Sequence, residues 1–268
     1  MKNQILLYGA FIRMAIRRLT IHRAAYFAGI VGQWLGYGTT FATLYIVVSN
    51  FDNIAGWKPA EVTFLYGLSV MAYAIGASVF YTPCTGLAGK IQSGEFDQSL
   101  TKPIHPLLHE VYQGFNTGYL GHFVLSLAVM IVSLNVLELQ LSAGMIGYLI
   151  VMILGGALIQ AAVLLLSSTA SFFMINDNPI LGFLLFDMKS FIDYPIVIFP
   201  KTLQLILTFV LPYAFINFYP AAFLFGKELP AGFPDILKYM TPVVGLILFG
   251  IALLVWNWGL SKYKSTGS

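Results

Sequence analysis

The sequence predicts an all-α polytopic membrane protein: an N-terminal amphipathic helix over 1–23, then six transmembrane helices within 24–268, with both termini cytoplasmic. Three observations carry this. Charged residues are 9% of the chain, against about a quarter in soluble domains, and apolar types reach 58%. Several apolar blocks exceed the ~18 residues that cross a bilayer. Lysine and arginine are divided unevenly between the segments that join those blocks, as orientation by the positive-inside rule requires.

The first 23 residues place Ile5, Tyr8, Ile12, Ala15, Ile16 and Leu19 at helical spacing, with Lys2, Arg13, Arg17, Arg18 and Arg23 between them. A basic amphipathic helix of this kind lies in the headgroup layer of an anionic leaflet. A solvated helix leading into the first span is the alternative. A cleavable signal is not expected, because this periodic segment is too long for a signal n-region.

Spans are predicted at 24–48, 60–80, 111–137, 145–174, 202–219 and 240–260. The fourth is long enough to tilt, and the fifth is short and holds Pro212. Trp34, Trp57, Trp256 and Trp258 fall mostly towards span ends, where amphipathic rings prefer to sit. With both termini inside, inner segments carry eleven of the Lys and Arg residues, and outer loops only Lys58, Lys227 and Lys238. Loops 84–110 and 176–201 are then cytoplasmic, and 217–236 lies outside. Gly29, Gly32 and Gly36 in span one, and Gly114, Gly118 and Gly121 in span three, have the spacing of close helix packing.

All eleven carboxylates are expected in loops or at span ends, and His122 is the one ionisable group expected inside a span. It reads as a hydrogen-bonded core histidine. That pattern argues against a proton-coupled carrier and against an intramembrane carboxylate or metal centre. A sodium-coupled carrier built from backbone carbonyls stays open, with Pro212 a weak sign of a broken helix. The single cysteine, Cys84, has no internal partner. No catalytic residue, metal site or nucleic-acid partner is expected.

ATP hydrolysis by this chain is not expected either. Gly86-Leu87-Ala88-Gly89-Lys90-Ile91 has too few residues between its glycines for a P-loop, and Ile91 stands where Ser or Thr would hold magnesium. Leu141-Ser142-Ala143-Gly144 falls in a predicted outer loop. If ATP drives the protein, the ATPase is a separate chain.

The polar island from Gly94 to Leu107 is the most informative stretch. Gly94 ends one helix, and Glu95 and Asp97 sit in the first turn of the next, where carboxylates suit the helix dipole. Phe96 and Leu100 are spaced i,i+4, Lys102 follows, Pro103 stops the turn, and Pro106 restarts the helix. Such a stub, with one apolar face, suits docking into a groove on a cytosolic subunit; a capped surface loop is the plain alternative. In the second inner loop, Asp177 or Asn178 is expected to cap a helix that starts at Pro179 and lies on the inner leaflet through Ile180, Leu181, Leu184 and Leu185, with a second docking element as the alternative. Phe41, Tyr45, Tyr73, Phe80 and Phe215 read as packing and interface anchors rather than a substrate path. The polar Gln33, Asn116, Asn135, Gln160 and Asn217 are scattered.

Three stretches carry a family resemblance. They are Ser93-Gly94-Glu95-Phe96-Asp97-x-x-Leu100-x-Lys102-Pro103; Asp193-Tyr194-Pro195-Ile196-x-Ile198-Phe199-Pro200; and Leu211-Pro212-Tyr213-Ala214-Phe215-Ile216-Asn217-Phe218-Tyr219-Pro220-Ala221. With the basic N-terminal helix and six-span layout, they make the chain resemble the permease subunits of type-2 ABC exporters. Within these it is similar to the six-span branch usually paired with a second permease and an ATPase. The resemblance implies that 94–101 is the coupling helix, with Gly94, Glu95, Phe96, Asp97, Leu100, Lys102 and Pro103 docking on the ATPase. It implies that 1–23 is an interfacial elbow helix held by Arg13, Arg17 and Arg18. It also implies two copies of a cytosolic nucleotide-binding subunit carrying ATP and Mg, no cofactor on this chain, and a second permease or second copy as partner. Membrane lipids surround the complex in the bacterial plasma membrane, and an amphipathic or lipid-like substrate moves outward. An ion-coupled secondary carrier and a non-transport scaffold or immunity protein are the alternatives.

Overall fold

The structure, a computed structural model, describes residues 23–51, 53–174 and 179–265. The N-terminal helix with Arg13, Arg17 and Arg18, and the proposed caps Asp177 and Asn178, lie outside the described residues.

The helices are α1 (Arg23–Ser49), α2 (Pro59–Gln92), α3 (Glu95–Leu100), α4 (Pro106–Gly114), α5 (Tyr119–Val136) and α6 (Ala143–Thr169). They are followed by α7 (Pro179–Gly182), α8 (Lys201–Leu205), α9 (Ala214–Leu224) and α10 (Thr241–Lys262). Among the described residues there is no strand, only a bridge between Ile54 and Trp57. Among the described residues, four helical stretches are long and apolar enough to cross a membrane: Pro59–Gln92, Tyr119–Val136, Ala143–Phe172 and Thr241–Lys262. The protein is therefore a multi-pass membrane protein. The first expected span forms as α1, but Gln33, three threonines and several glycines dilute its apolar character.

Helix α2 is the axis of the bundle. Nearly every residue from Ala60 to Ala74 is buried, whichever face it occupies, as in a helix enclosed on all sides. Helix α6 packs along one flank of α2 and α5 along another, while α10 lies against the far side of α6. The α6–α10 contact depends on backbone proximity: a Cβ placed on Gly245 would lie 2.5 Å from the Gly155 carbonyl oxygen. Gly76 meets the Ala157 carbonyl in the same way across the α2–α6 contact, where its Cβ would stand 2.7 Å away. These seams differ from those expected in span one. Gly29, Gly32 and Gly36 face open space, whereas Gly114, Gly118 and Gly121 are packed.

The third span differs from its expected course of 111–137. It breaks at 115–118 because Pro83, inside α2, fills the space beside Gly114, whose Cβ would stand 2.5 Å from the proline Cδ. A proline also removes a helical donor and loosens the turn before it. Ser78, in that turn, offers its carbonyl to the Asn116 N–H at 2.9 Å. The chain thus enters α5 afresh at Tyr119.

The fifth span differs more. Helix α8 continues in wider turns to Val210 and then meets α9 at a bend of 107° across Leu211-Pro212. Lys201, expected inside, donates to the Ala231 carbonyl and lies 3.9 Å from the Phe233 ring centre, in a loop expected outside. The two ends of the expected span thus lie side by side. In the segment before it, Ile180 and Phe183 stay exposed, but the later part turns inward. Ile192 and Ile196 are fully buried, and the Asn217 side-chain amide donates to the carbonyls of Ile192 and Leu65. The run 180–199 is itself mostly apolar, and its Ile192–Ile196 part is drawn into the bundle. Asp187, Lys189, Asp193 and Pro195 interrupt it and leave short irregular turns in place of one helix.

Candidate functional site

The helix predicted from Glu95 to Thr101 forms as α3, between the end of α2 and the start of α4. Gly94 adopts the left-handed conformation, φ 72°, that closes α2 and turns the chain into α3. Glu95 and Asp97 occupy the first turn, as expected from the helix dipole. Pro106 begins α4, and the His105 ring accepts from the Leu107 N–H at 3.3 Å.

Phe96 and Leu100 do not share one outward face. Phe96 is 0% exposed; its ring centre lies 5.5 Å from that of Phe172 and 5.2 Å from that of Tyr263. Phe172 continues the cluster to Trp256 at 5.0 Å. A six-residue helix beside an apolar bundle must bury its largest ring inward, since hydrophobic burial is the strongest force acting on it. Leu100 is 43% exposed and shares the outer edge with Glu95, Gln98, Thr101, Lys102 and Pro103.

A second set of contacts holds α3 from beneath. Glu110 is 1% exposed; one carboxylate oxygen pairs with Lys90 Nζ at 2.6 Å and the other accepts from Ser99 Oγ at 2.5 Å. His109 Nδ1 lies 3.1 Å from Ser99 Oγ, and Gln113 Nε2 lies 2.9 Å from His109 Nε2. On the other flank, Asp97 accepts from Tyr263 Oη at 2.9 Å and Ser265 Oγ at 2.5 Å. Burial, with the Asp97 carboxylate adding to it, pushes the Tyr263 phenol up to about 12, so it stays protonated and keeps donating. His105 Nε2 reaches Asn257 Oδ1 at 3.0 Å. Three places therefore hold α3: Glu110 of α4, itself paired with Lys90 of α2, through Ser99; Phe172 just beyond α6, through Phe96; and Tyr263 and Ser265 just beyond α10, through Phe96 and Asp97.

Glu110→Ala leaves Lys90 without its carboxylate. Removing one partner of a buried pair costs about 3–5 kcal/mol, and Lys90, 24% exposed, puts this case near the lower figure. Thermal unfolding in detergent should show that loss. Glu110→Leu combined with Lys90→Met should recover most of it, because no charge is then stranded.

Sequence reasoning placed the charged rim but missed the carboxylate beneath it. Glu110 was placed at the end of the 84–110 loop, and no local signal ties it to Lys90, twenty residues away. The sequence also gave His122 a hydrogen-bonded core role. Its Nδ1 is buried with no hydrogen-bond partner, and the ring packs 4.3 Å from Tyr37.

Comparison with known families agrees with this architecture. The family model described as "ABC-2 family transporter protein" matches residues 35–267, which include α2 to α10 and most of α1. No curated protein and no solved structure matches. Permeases of this family are generally paired with an ATPase subunit and are not themselves the ATPase. A match over most of the chain, joined to a multi-pass helical bundle, places this protein in the ABC-2 transporter family as a membrane transport permease.

Proposed function

We propose that the chain is the membrane subunit of an ATP-driven exporter and that the outer edge of α3 is where a cytosolic ATPase docks. The observation that carries this is the division of α3: an exposed edge of Glu95, Gln98, Leu100 and Lys102 over an inner side held by Glu110, Phe172 and Tyr263. ATP and Mg bound by two ATPase copies would draw them together, and α3 would pass that movement to α2, α6 and α10. Both termini and the 84–110 loop face the cytoplasm of a bacterial plasma membrane, and 1–23 lies in its headgroup layer. The cargo is an amphipathic or lipid-like molecule moved outward. A second permease, or a second copy, packs on α1, where Gly29, Gly32 and Gly36 face open space and Phe27, Val31 and Leu35 are exposed.

The test is Leu100→Asp with Lys102→Glu, two exposed changes that leave the inner side intact. The variant should keep its melting temperature but lose the co-purifying ATPase from native membranes, and ATP-dependent transport with it. Retention of the ATPase and of transport would remove α3 as the docking element.

One observation favours a second reading. The bent pair formed by α8 and α9 is a broken helix of the kind that ion-coupled carriers build around a bound ion. Uptake or release by the purified chain alone in liposomes, driven by a sodium gradient and without ATPase, would establish that reading in place of the first.

A further inference from the structure

Lys189 was expected in the inner segment 176–201. Instead its ammonium lies 4.4 Å from the centre of the Tyr73 ring, near the middle of α2. Among the described residues no carboxylate comes within 4.0 Å of it, and no backbone or side-chain acceptor bonds to it. Asp193, on the next turn, acts on it only at longer range. An aromatic face attracts a cation, but it supplies none of the hydrogen bonds that an ammonium gives up on leaving water. Lys189 is half-buried, and the described residues give its ammonium no anion at close range.

The surroundings make it a site rather than a stray side chain. His122, 4% exposed, has its Nδ1 unpartnered, and its ring lies 5.1 Å from Tyr119 and 6.2 Å from Tyr73. Tyr37 closes the other side of the imidazole from α1. Polar groups from α1, α2, α5 and the 179–200 segment thus converge, although they are far apart in sequence. Tyr119 also lines a cavity of about 290 Å³ at the α4–α5 break, walled by Ala74, Ile75, Leu120 and Phe123. Charge on one side of Tyr119 and an apolar hollow on the other match the two ends of an amphiphile.

We propose that Lys189, Tyr73 and His122 form a binding site for the anionic group, phosphate or carboxylate, of an amphipathic ligand whose chain lies in the cavity beside Tyr119. This deepens the transport reading and rests on it for the ligand's being cargo. Binding itself needs no ATPase.

The probe is dodecyl phosphate with a diazirine in its chain, added to the purified protein in a neutral maltoside detergent. Photolabel should map to peptides containing Tyr73 and residues 119–123. Unlabelled dodecyl phosphate should compete, and dodecyltrimethylammonium should not. Lys189→Arg should retain affinity, and Lys189→Met should weaken it at least tenfold. If Lys189→Met does not fold, His122→Phe, which preserves the ring, should still weaken binding several-fold. Label scattered over the bundle, equal competition by the cation, or unchanged affinity in a folded Lys189→Met would overturn the site. Two further results separate the sources of the anion. Stimulated ATP hydrolysis by the intact complex marks cargo. An anionic lipid that survives washing in the wild type, and is lost in Lys189→Met, marks a resident lipid. Loss of ATPase docking with labelling intact would strike the coupling reading and leave this one standing.

Discussion

Gly245→Leu is expected to separate α10 from α6 and to cost at least about 3 kcal/mol, the upper end of the usual range for overpacking. The reason is the 2.5 Å between a Cβ at this position and the Gly155 carbonyl oxygen: the obstacle is backbone, which cannot swing aside as a side chain would. The contact spans the length of both helices. It is anchored again at Gly259, whose Cβ would stand 2.6 Å from Thr169, so a local bulge is not available as relief. Gly250, on the same helix, has nothing within 4 Å of its Cβ position. Gly250→Leu should therefore stay within about 0.5 kcal/mol of the wild type, like other substitutions in open space. Thermal unfolding of the two variants in the same detergent separates them, and equal melting temperatures would refute the close approach.

Phe96→Ala is expected to remove about 3–5 kcal/mol, the usual loss for truncating a buried phenylalanine. Its ring fills the space between Phe172 and Tyr263, so the loss falls on the link between α3 and the ends of α6 and α10. ATP hydrolysis by the complex should then run without transport even where the ATPase stays bound. The double change Leu100→Asp with Lys102→Glu should do the reverse, releasing the ATPase from a stable permease. The two variants test different halves of one small helix. A Phe96→Ala protein that unfolds like the wild type and transports normally would mean that the ring carries no load.

Much of this was legible in the sequence. Long apolar runs bounded by turn residues gave α6 and α10 nearly to their ends, and the start of α2 though not its continuation from 81 to 92, because span length and composition are local properties. The Gly94 turn and the first turn of α3 were legible for the same reason: a left-handed glycine and two acidic residues act within their own few positions. What failed was non-local. Phe96 read as outward because its i,i+4 partner is Leu100; nothing nearby in sequence says that Phe172 and Tyr263 wait beneath it. Pro83 and Gly114 break the third span only because they meet in space. The run from Ile180 to Phe199 read as an inner segment with a helix on the leaflet, and nothing nearby in sequence says that Ile192 and Ile196 are buried. For the same reason Lys189 was counted with the inner segments, with no sign of the Tyr73 ring beside it.

Helix α2 holds 34 residues, about 51 Å at 1.5 Å each, while the hydrocarbon of a bilayer is about 30 Å thick. Near one end, Glu61 pairs with Lys227 at 2.7 Å, a charge pair suited to headgroup depth. Measured from there, about 20 residues exhaust the hydrocarbon, close to Pro83. The remaining turns of α2, with α3 and α4, then form a pedestal that stands about 15 Å clear of the oil. Lipid thickness acts on the shaft above Pro83, and dissolved ions act on the pedestal below it. A thinner bilayer should therefore disturb the tyrosine chamber before it disturbs the docking edge, and raised salt should do the opposite.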